Sequence, residues 1–359
     1  MRVSIESCDA DFVLARQDEI LRLTRAAQLP MIFDTPAWIA AWTSTFDQSK
    51  KAVCFIAEED GVLIGFLPLV SEVAWPAIYG VVGQRFVYAD HLQILVDHGS
   101  REEFLAISLA CLHDHDGRWA ALRCRSIPEN SPNLDALENV TRTGGTFSAF
   151  QSSVAPYVNI DGGIDSVIAP LPKKRRYNLR RTIRLAENAG FRYADNSLDP
   201  QTAFDELLRL HRSRAREKSQ VSTFDEPAVL AFHRRLLDDP FIAQHVWFRC
   251  LKVNENIIAQ FYGFCIGGNL AFYQMGFDPG FSARSPGTVL LYHVLEEAGR
   301  SGVSELNFLQ GDEPYKSQWT KSARNLFDVQ VTSPTIEGRA LGYTRQVKEA
   351  VKRRLRDRE

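Results

Sequence analysis

The residues best suited to chemistry lie between positions 275 and 319, beginning with a turn that leads into a helix. A strand at 271–275 is followed by a Ser-Pro-Gly turn at 285–287 and by a predicted helix over 288–300. The first backbone N–H groups of a helix have no partner within it and lie at the positive end of its dipole. Such a helix start can bind phosphate. The sequence therefore predicts a phosphate site here, which we call the phosphate turn (residues 284–287).

A polar loop follows the next strand of the same stretch. Residues 311–316 read Gly-Asp-Glu-Pro-Tyr-Lys and come after an apolar strand at 305–309. In α/β folds the loops at the ends of neighbouring strands carry binding and catalytic groups. We therefore expect this polar loop (residues 311–316) to lie beside whatever the phosphate turn holds.

Length and composition describe an ordinary globular protein with room for two domains. Of its 359 residues 45% are hydrophobic and 24% are charged, and the formal net charge of −2 gives no reason to expect a nucleic acid partner. The six cysteines lie far apart in apolar segments, which predicts reduced thiols and a cytoplasmic location. No signal peptide or membrane-spanning run is recognisable, so any contact with the inner face of a membrane is expected to be peripheral. The His-Asp-His-Asp run at 113–116 has no distal partners at ligand spacing, so no metal is expected.

The second half of the chain repeats the opening of the first half. Phe-Asp-Thr-Pro-Ala at 33–37 is echoed by Phe-Asp-Glu-Pro-Ala at 224–228. The hairpin strand at 61–66 is echoed at 256–261. Two echoes in the same order favour duplication of one α/β unit.

This repeat predicts an α/β protein with mixed sheets and two domains. We expect an N-terminal domain over 1–155, a second domain over 165–335 and a basic amphipathic helix over 340–359. The last helix either touches an anionic membrane surface or packs on a domain with its charges solvated. Another basic helix, over 172–184, carries seven Lys and Arg residues. Either acidic or phosphate partners lie near it, or it is a solvated face at the domain junction.

Several short motifs together resemble a known family. They are Leu-Pro-Lys-Lys at 171–174, Leu-His-Arg-Ser-Arg at 210–214, Gly-Phe-Asp-Pro at 276–279, Ser-Pro-Gly-Thr at 285–288 and the polar loop. Over residues 170–320 this set resembles the acetyltransferase domain of the CelD/BcsL type within the GNAT superfamily. That type is similar in layout to the FemAB aminoacyltransferases, so the resemblance implies two tandem GNAT folds.

The resemblance also implies an acyl thioester donor, with acyl-CoA or acetyl-CoA as the co-substrate, and an amine acceptor. GNAT enzymes bind the CoA pyrophosphate at a turn of this kind, which assigns Arg284, Ser285, Gly287 and Thr288 to donor binding. Val289 stands where the family has Gly or Ala. This departure leaves an acyl carrier protein or another thioester open as the donor.

For the polar loop, the resemblance implies roles in acid and base chemistry. Tyr315 is expected to be the general acid for the leaving thiolate, the alternative being a structural tyrosine packed on Trp319. Asp312 and Glu313 either take up the amine proton or only cap the loop. Lys316 either binds a phosphate or sugar or forms a surface salt bridge.

Further candidates lie outside the polar loop. By the same resemblance, the backbone N–H groups of Gln274, Met275 and Gly276, and not their side chains, are expected to bind the thioester carbonyl. His211 is either a base or acceptor-binding residue or a histidine beside the core. Arg214 and Arg176 are further candidates for binding the substrate.

Together these expectations describe an N-acyltransferase that acts on an amine of an envelope precursor. The acceptor is either an amino sugar of a polysaccharide or the long-chain base of a lipid. The first domain lacks both the phosphate turn and the polar loop, so we expect it to bind no donor and to lie on the acceptor side. The alternatives are a FemAB-like aminoacyltransferase that uses aminoacyl-tRNA and a non-catalytic scaffold.

Overall fold

The computed structural model describes residues 1–343, except for positions 48, 50, 92, 98, 142–144, 196–198 and 218–221. The chain divides into two compact units. The first unit contains Met1–Ser153 and the chain from Asn325 onward, and the second unit contains Val154–Arg324. The second unit thus ends before position 335, where the sequence placed the boundary of the second domain.

The first unit contains a mixed sheet and the helices α1 to α5. Its elements are β1 (Arg2–Ser7), α1 (Ala10–Ala15), α2 (Gln17–Ala26), α3 (Pro36–Phe46), β2 (Val53–Glu59), β3 (Val62–Ala74), β4 (Ala77–Val81), β5 (Leu95–Val96), α4 (Arg101–His115), β6 (Trp119–Pro128), α5 (Pro132–Thr141), the start of β7 (Thr146–Asn159) and most of β13 (Ala323–Thr332). Strands β1 to β4 are antiparallel neighbours in chain order. Strand β6 then joins β4 in parallel, and β13 pairs with β6 in antiparallel fashion.

The second unit contains another mixed sheet and the remaining helices. Its elements are the end of β7, α6 (Ile164–Ile168), α7 (Lys173–Asn188), β8 (Arg192–Asp195), α8 (Pro200–Glu217), α9 (Pro227–Leu237), α10 (Pro240–His245), β9 (Val246–Val253), β10 (Asn256–Ile266), β11 (Asn269–Phe277), α11 (Pro286–Arg300) and β12 (Glu305–Asn307). Strands β8 to β11 are antiparallel neighbours in chain order. Strand β12 joins β11 in parallel, and the end of β7 pairs with β12 in antiparallel fashion.

Both units therefore share one topology, which confirms the predicted α/β class and the duplication. In each unit four antiparallel strands are followed by a helix that crosses over to a parallel fifth strand, α4 in the first unit and α11 in the second. The echoed motif also folds alike in both. A 3-10 turn (Ile32–Asp34 or Thr223–Asp225) precedes a helix whose first residue is proline, Pro36 or Pro227. Proline is favoured there because the first helical N–H has no partner within the helix.

A buried face of α11 anchors the phosphate turn to the second core. Val289, Leu290, Val294 and Leu295 are buried together with Phe272 of β11. Burying each such side chain contributes about 1.5–3 kcal/mol. Val289, which departs from the family pattern, is only 1% exposed. Its side chain therefore serves the core and does not block the turn.

Three further expectations concern the chain ends and the thiols. Residues 336–343 are helical, and the rest of the predicted basic helix over 340–359 lies outside the described residues. Within the described chain, no helix combines the length and the apolar composition needed to cross a bilayer. All six cysteines are free thiols.

Candidate active site

Strands β11 and β12 separate just where the predicted chemistry lies. Their parallel pairing covers only three residue pairs and ends at Ala271 opposite Asn307. Beyond it, the Phe308 N–H donates to the carbonyl of Pro156 at 2.9 Å, so this segment stays with β7. Leu309 then takes a left-handed conformation (φ 57°), which ends the strand. The part of β11 after Ala271 therefore extends past the end of its parallel partner.

On this part of β11, the backbone N–H of Met275 donates a hydrogen bond to a neighbouring side chain. It donates to Oε1 of the neighbouring Gln274 at 2.9 Å. A bulge explains the arrangement, because the pairing with β10 shifts between Tyr262 and Gly263 and leaves an extra residue, Tyr273, in β11. A bulge re-aims the following side chain. The Met275 N–H thus already donates to an amide oxygen, and the carbonyl oxygen of a ligand can take the place of that oxygen.

The phosphate turn is built by a capped 3-10 turn that ends in a left-handed residue. Oδ1 of Asp278 accepts from the Gly280 N–H at 2.9 Å, and the 3-10 turn runs over Pro279–Arg284. Ser285 has φ 52° and ψ 53° and precedes α11, which begins at Pro286. Since proline has no N–H, the first backbone donor of the helix belongs to the next residue, Gly287.

Gly287 lies against the end of β11. A Cβ at this position would lie 3.3 Å from the sulfur of Met275 and 3.7 Å from the ring of Phe277. The phosphate turn therefore packs against the side chains of Met275 and Phe277. Arg284 is exposed at the start of this turn, and Thr288 is half-buried, with its N–H donating to the Ser285 carbonyl at 3.0 Å.

Tyr315 lies on the other side of the gap between the strands. Its ring centroid is 6.2 Å from that of Phe272 on β11 and 6.3 Å from that of Phe308 after β12. The residue is 42% exposed, whereas Trp319 is buried in the core. Loss of hydration raises the pKa of the Tyr315 hydroxyl, and the carboxylate of Glu313 raises it further. The phenol therefore keeps its proton at neutral pH and can donate a hydrogen bond to an anion in the gap.

Lys316 points inward and holds the polar loop together. Its side chain is 3% exposed, and Nζ donates to the carbonyls of Leu309 at 3.2 Å and Gln310 at 2.8 Å. It also forms an ion pair with Oε2 of Glu313 at 2.9 Å. The sequence placed this ammonium on a phosphate, on a sugar or in a surface salt bridge. The structure has a salt bridge, to the exposed Glu313, but the ammonium that forms it is buried in the loop and needs the carbonyls as further hydrogen-bond partners.

The two acidic residues of the loop both face solvent. The side chain of Glu313 is 55% exposed despite its ion pair with Lys316. Gly311 has φ 121°, and the carboxylate of Glu313 packs over it at a distance that leaves no room for a Cβ. Glu313 is thus fixed over the loop, whereas Asp312 is simply exposed.

Arg214 of α8 joins the same region. Its guanidinium lies 4.5 Å from the ring centroid of Phe277, at the end of β11. It is also close enough to Tyr315 to oppose the rise in the pKa of that hydroxyl. A permanent cation therefore lies near the phenol.

His211 lies one helical turn before Arg214. Its Nδ1 is 2.8 Å from the hydroxyl of Ser222, and its ring packs edge-on against Phe224. Burial, followed by the charge of Arg214, lowers the pKa of His211, so the imidazole is neutral at pH 7. Its backbone N would lie 2.9 Å from a Cβ at Gly276. Gly276 therefore allows α8 to pack directly on β11.

Arg176 is used at the start of its own helix, α7. Its Nη1 donates to the carbonyls of Ala169 at 2.9 Å and Leu171 at 2.6 Å.

The structure thus groups Met275, Gly287, Tyr315 and Glu313 around the gap, with Arg214 beside them, and gives Arg176 partners of its own. The sequence did not identify the Gln274 side chain, Phe272 or Phe277 as parts of this region.

In the first unit the matching gap is bridged by side chains. The parallel pairing of β4 and β6 ends at Gly80 opposite Arg123. Beyond it, the Gln84 amide accepts from the Arg125 N–H at 3.1 Å and donates to the Arg125 carbonyl at 3.2 Å. The buried Glu72 lies over Gly80 and pairs with Arg125 at 2.7 Å. These contacts fill the space beyond the parallel pair in the first unit.

Metal ligands do not cluster in this protein as far as it is described. No group of three or more His, Cys, Asp or Glu side chains among the described residues could hold a metal ion. The chemistry that the gap itself offers is electrostatic. It combines a backbone donor, a phenol, a carboxylate and an arginine.

Residues 173–317 match the family model described as an acetyltransferase (GNAT) domain. Among solved structures, the chain is similar to FemX, with a TM-score of 0.64 and 12% identity over 87% of this chain and 95% of that one. A conserved protein of unknown function from Bacteroides thetaiotaomicron has a TM-score of 0.60 and 13% identity over 92% of this chain and 99% of that one. A tandem GNAT protein from the clavulanic acid biosynthesis pathway has a TM-score of 0.50 and 13% identity over 93% of this chain and 100% of that one. No curated protein matches the sequence.

These comparisons confirm the coarse part of the predicted resemblance. The second unit carries the match to the GNAT acetyltransferase domain, and the fold of the chain is that of a tandem GNAT protein. At such low identities the solved structures establish the fold alone. Membership of the CelD/BcsL type stays a prediction.

Proposed function

We propose that this protein is an N-acyltransferase that moves an acyl group from an acyl-CoA thioester to a primary amine of an envelope precursor. The observation that carries the proposal is the Met275 N–H in the gap between β11 and β12. The phosphate turn packs against the Met275 side chain, and the Tyr315 ring lies near Phe272 of the same strand. Along a CoA thioester the phosphates come first, then the sulfur of the leaving group and then the carbonyl, so a donor held at the phosphate turn would bring its sulfur and carbonyl together to the Tyr315 phenol and the Met275 N–H.

Donor binding is assigned to the phosphate turn. The Gly287 N–H and the dipole of α11, fifteen residues long, favour an anion at the turn. Arg284, exposed at its edge, supplies a charge-assisted donor for the same pyrophosphate. From there the thiol arm runs along β11 past Met275.

The carbonyl step uses the backbone of β11. The thioester oxygen displaces Oε1 of Gln274 and accepts from the Met275 N–H. Attack by the amine forms the new C–N bond and places negative charge on that oxygen. A fixed backbone donor stabilises such a developing charge more than it stabilises the neutral ester.

The leaving group and the amine proton are assigned to the polar loop. When the C–S bond breaks, the Tyr315 phenol donates its hydrogen bond and then its proton to the thiolate. The attacking nitrogen loses one proton to Glu313, directly or through one water, so that the products are an amide and a free thiol. Asp312, exposed on the same loop, is assigned to orienting the amine.

The positive charge of Arg214 indicates which acceptors this site would bind. Arg214 presents a guanidinium beside Phe277, and such a group binds a phosphate or carboxylate on the acceptor. An amino sugar on a phosphate-linked carrier fits this assignment, and a long-chain base fits it only if it carries a phosphate. The first unit, whose matching gap is bridged by Gln84 and Arg125, is proposed to bind no donor and to serve the acceptor.

A panel of donors and acceptors tests the proposal. Purified protein is mixed with acetyl-CoA, octanoyl-CoA or palmitoyl-CoA and with glucosamine, a nucleotide-linked amino sugar or sphinganine, and the products are identified by mass spectrometry. We expect an N-acyl product of one acceptor class. Consumption of aminoacyl-tRNA, with no product from any CoA thioester, would instead assign the protein to the aminoacyltransferases.

A further inference from the structure

Tyr273 is the extra residue of the bulge in β11, and it lies in the part of that strand that extends past its parallel partner. Phe272 and Met275 both enter the core that α11 covers, although they are three residues apart. Residues three apart on a regular strand point to opposite faces. The bulge therefore adds a side chain to the other face of β11, where Gly276 packs on α8. Tyr273 is that side chain, and its hydroxyl reaches His233 of α9.

The imidazole of His233 lies between two phenols. Its Nδ1 is 3.1 Å from the Tyr262 hydroxyl, and its Nε2 is 3.2 Å from the Tyr273 hydroxyl. His233 and Tyr262 are fully buried, whereas Tyr273 is half-buried. Burial lowers the pKa of His233 to about 3, so the imidazole is neutral and has one N–H donor and one acceptor nitrogen.

The buried Tyr262 hydroxyl determines which of the two nitrogens carries the hydrogen. Within the described part of the chain, the hydrogen-bond partner of this hydroxyl is His233 Nδ1. Because a buried group without a partner costs about 1–3 kcal/mol, Tyr262 donates its proton to Nδ1. Nε2 then carries the hydrogen and donates it to the oxygen of Tyr273. The Tyr273 hydroxyl therefore donates its own proton to an acceptor other than the imidazole.

Tyr273 lies close to the groups that the proposed function uses. It is two residues before Met275, which corresponds to about 7 Å along a strand. It also lies on the face of β11 that packs on α8, the helix that carries Arg214. A hydroxyl donor at this place can bind an oxygen beside the reacting amine. Both proposed acceptor classes have such an oxygen, because an amino sugar and a long-chain base each carry a hydroxyl on the carbon next to the one that bears the amine.

We propose that Tyr273 selects amines with a hydroxyl on the neighbouring carbon by donating a hydrogen bond to that hydroxyl, and that His233 and Tyr262 position it. This inference rests on the proposed function and narrows its acceptor to a vicinal amino alcohol. Tyr273 touches the acceptor, whereas His233 and Tyr262 act only through Tyr273. A site built to bind a hydroxyl rejects an analogue without it, since the polar group of the site is then left unpaired.

Acylation of matched acceptors tests this directly. Glucosamine 1-phosphate and sphinganine 1-phosphate are each compared with their 3-deoxy analogues, which lack the hydroxyl beside the amine, and the two pairs also distinguish a sugar from a lipid. For the wild type we expect kcat/KM to be at least about tenfold higher with the hydroxyl than without it. In Tyr273→Phe this ratio should fall to about one, and the KM for acyl-CoA should not change.

A second variant tests the positioning role, because Tyr262 is buried and cannot touch the acceptor. In Tyr262→Phe, Nδ1 can carry the hydrogen and Nε2 can accept from Tyr273. The preference for the hydroxyl should therefore fall by about twofold to tenfold. Tyr193→Phe is the matched control, because it removes a hydroxyl that donates to Glu297 elsewhere in the second unit, and it should leave the preference unchanged. Thermal unfolding shows whether each variant is folded.

Three results would overturn this inference and leave the acyltransferase proposal standing. They are equal rates of the wild type with an acceptor and its 3-deoxy analogue, an equal loss of rate with both in Tyr273→Phe, and an unchanged preference in folded Tyr262→Phe. If none of the four acceptors is acylated and aminoacyl-tRNA is consumed, the proposed function itself fails, and the inference fails with it.

Discussion

The backbone N–H of Met275 donates to the side-chain oxygen of its own neighbour, Gln274, at 2.9 Å. This oxygen lies where β11 has run past the end of its parallel partner β12. It is chemically similar to the carbonyl that an acyl thioester would bring. The Gln274 amide oxygen thus occupies the position that the proposed function gives to the thioester carbonyl.

Removing this substitute should strengthen donor binding. In Gln274→Ala the Met275 N–H loses its internal acceptor, and an intramolecular hydrogen bond of this kind is worth about 0.5–1.5 kcal/mol. We predict that the KM for acyl-CoA falls by about twofold to tenfold while kcat stays the same. Steady-state kinetics measure both, with Gln17→Ala on the surface of α2 as the control. An unchanged or higher KM would show that Gln274 does not compete with the donor.

Tyr315→Phe should slow the chemical step. Loss of a general acid lowers kcat by about 10²–10⁴-fold, and donor binding should be nearly unchanged. The deficit should shrink with an aryl thioester, whose thiolate leaves without a proton. Tyr177→Phe, at an exposed tyrosine of α7, is the control. An equal deficit for both thioesters would assign Tyr315 to packing.

The pH profile follows from the same residue. The pKa of Tyr315 is raised, so its proton is present over the whole physiological range and is lost only above the usual range of tyrosine. We therefore predict that kcat has no alkaline limb below about pH 10. A fall in kcat between pH 7 and 9 that disappears in Tyr315→Phe would contradict this sign.

Lys316→Met should destabilise the protein. The substitution leaves the carbonyls of Leu309 and Gln310 without their buried donor. Unpaired buried polar groups cost about 1–3 kcal/mol each, so the free energy of unfolding should fall by roughly 2–6 kcal/mol. Urea denaturation measures this, with the exposed Lys321→Met as the control. Unchanged stability together with a raised donor KM would instead indicate a direct contact with phosphate.

Gly287→Glu should abolish tight donor binding without unfolding the chain. The new side chain places a negative charge at the first free N–H of α11, and it would crowd Met275, 3.3 Å from the new Cβ. We predict that the affinity for coenzyme A falls by about tenfold or more, as measured by calorimetry. Leu14→Glu adds the same charge to an exposed position of the first unit and should have no effect. Unchanged binding by folded Gly287→Glu would move the phosphate site elsewhere.

The sequence predicted the framework of the site better than its side-chain orientations. Turn and capping residues act locally, so Ser285 and Pro286 predicted the start of α11. The echoed Phe-Asp-X-Pro-Ala motif predicted the duplication. The orientation of Lys316 could not be predicted in this way. A lysine after Gly-Asp-Glu-Pro-Tyr appears exposed in sequence, and only the folded loop shows the carbonyls that bury it.

Contacts between residues far apart in the sequence could not be predicted either. The contact of Arg214 with Phe277 joins α8 to the end of β11, and neither residue type indicates the other. The bulge that turns Gln274 toward the Met275 N–H depends on register with β10. Register is set by the whole sheet and cannot be read from a single strand.

The central claim is that the gap beside Met275 transfers an acyl group from a CoA thioester to an amine. Its most direct test is the rate of thiol release from acyl-CoA by the purified protein, measured with and without the acceptor amine that the mass-spectrometric panel identifies. We predict release that saturates with the amine and falls by at least about a hundredfold in Tyr315→Phe. Release that does not depend on any amine, or that is the same in Tyr315→Phe, would contradict the account.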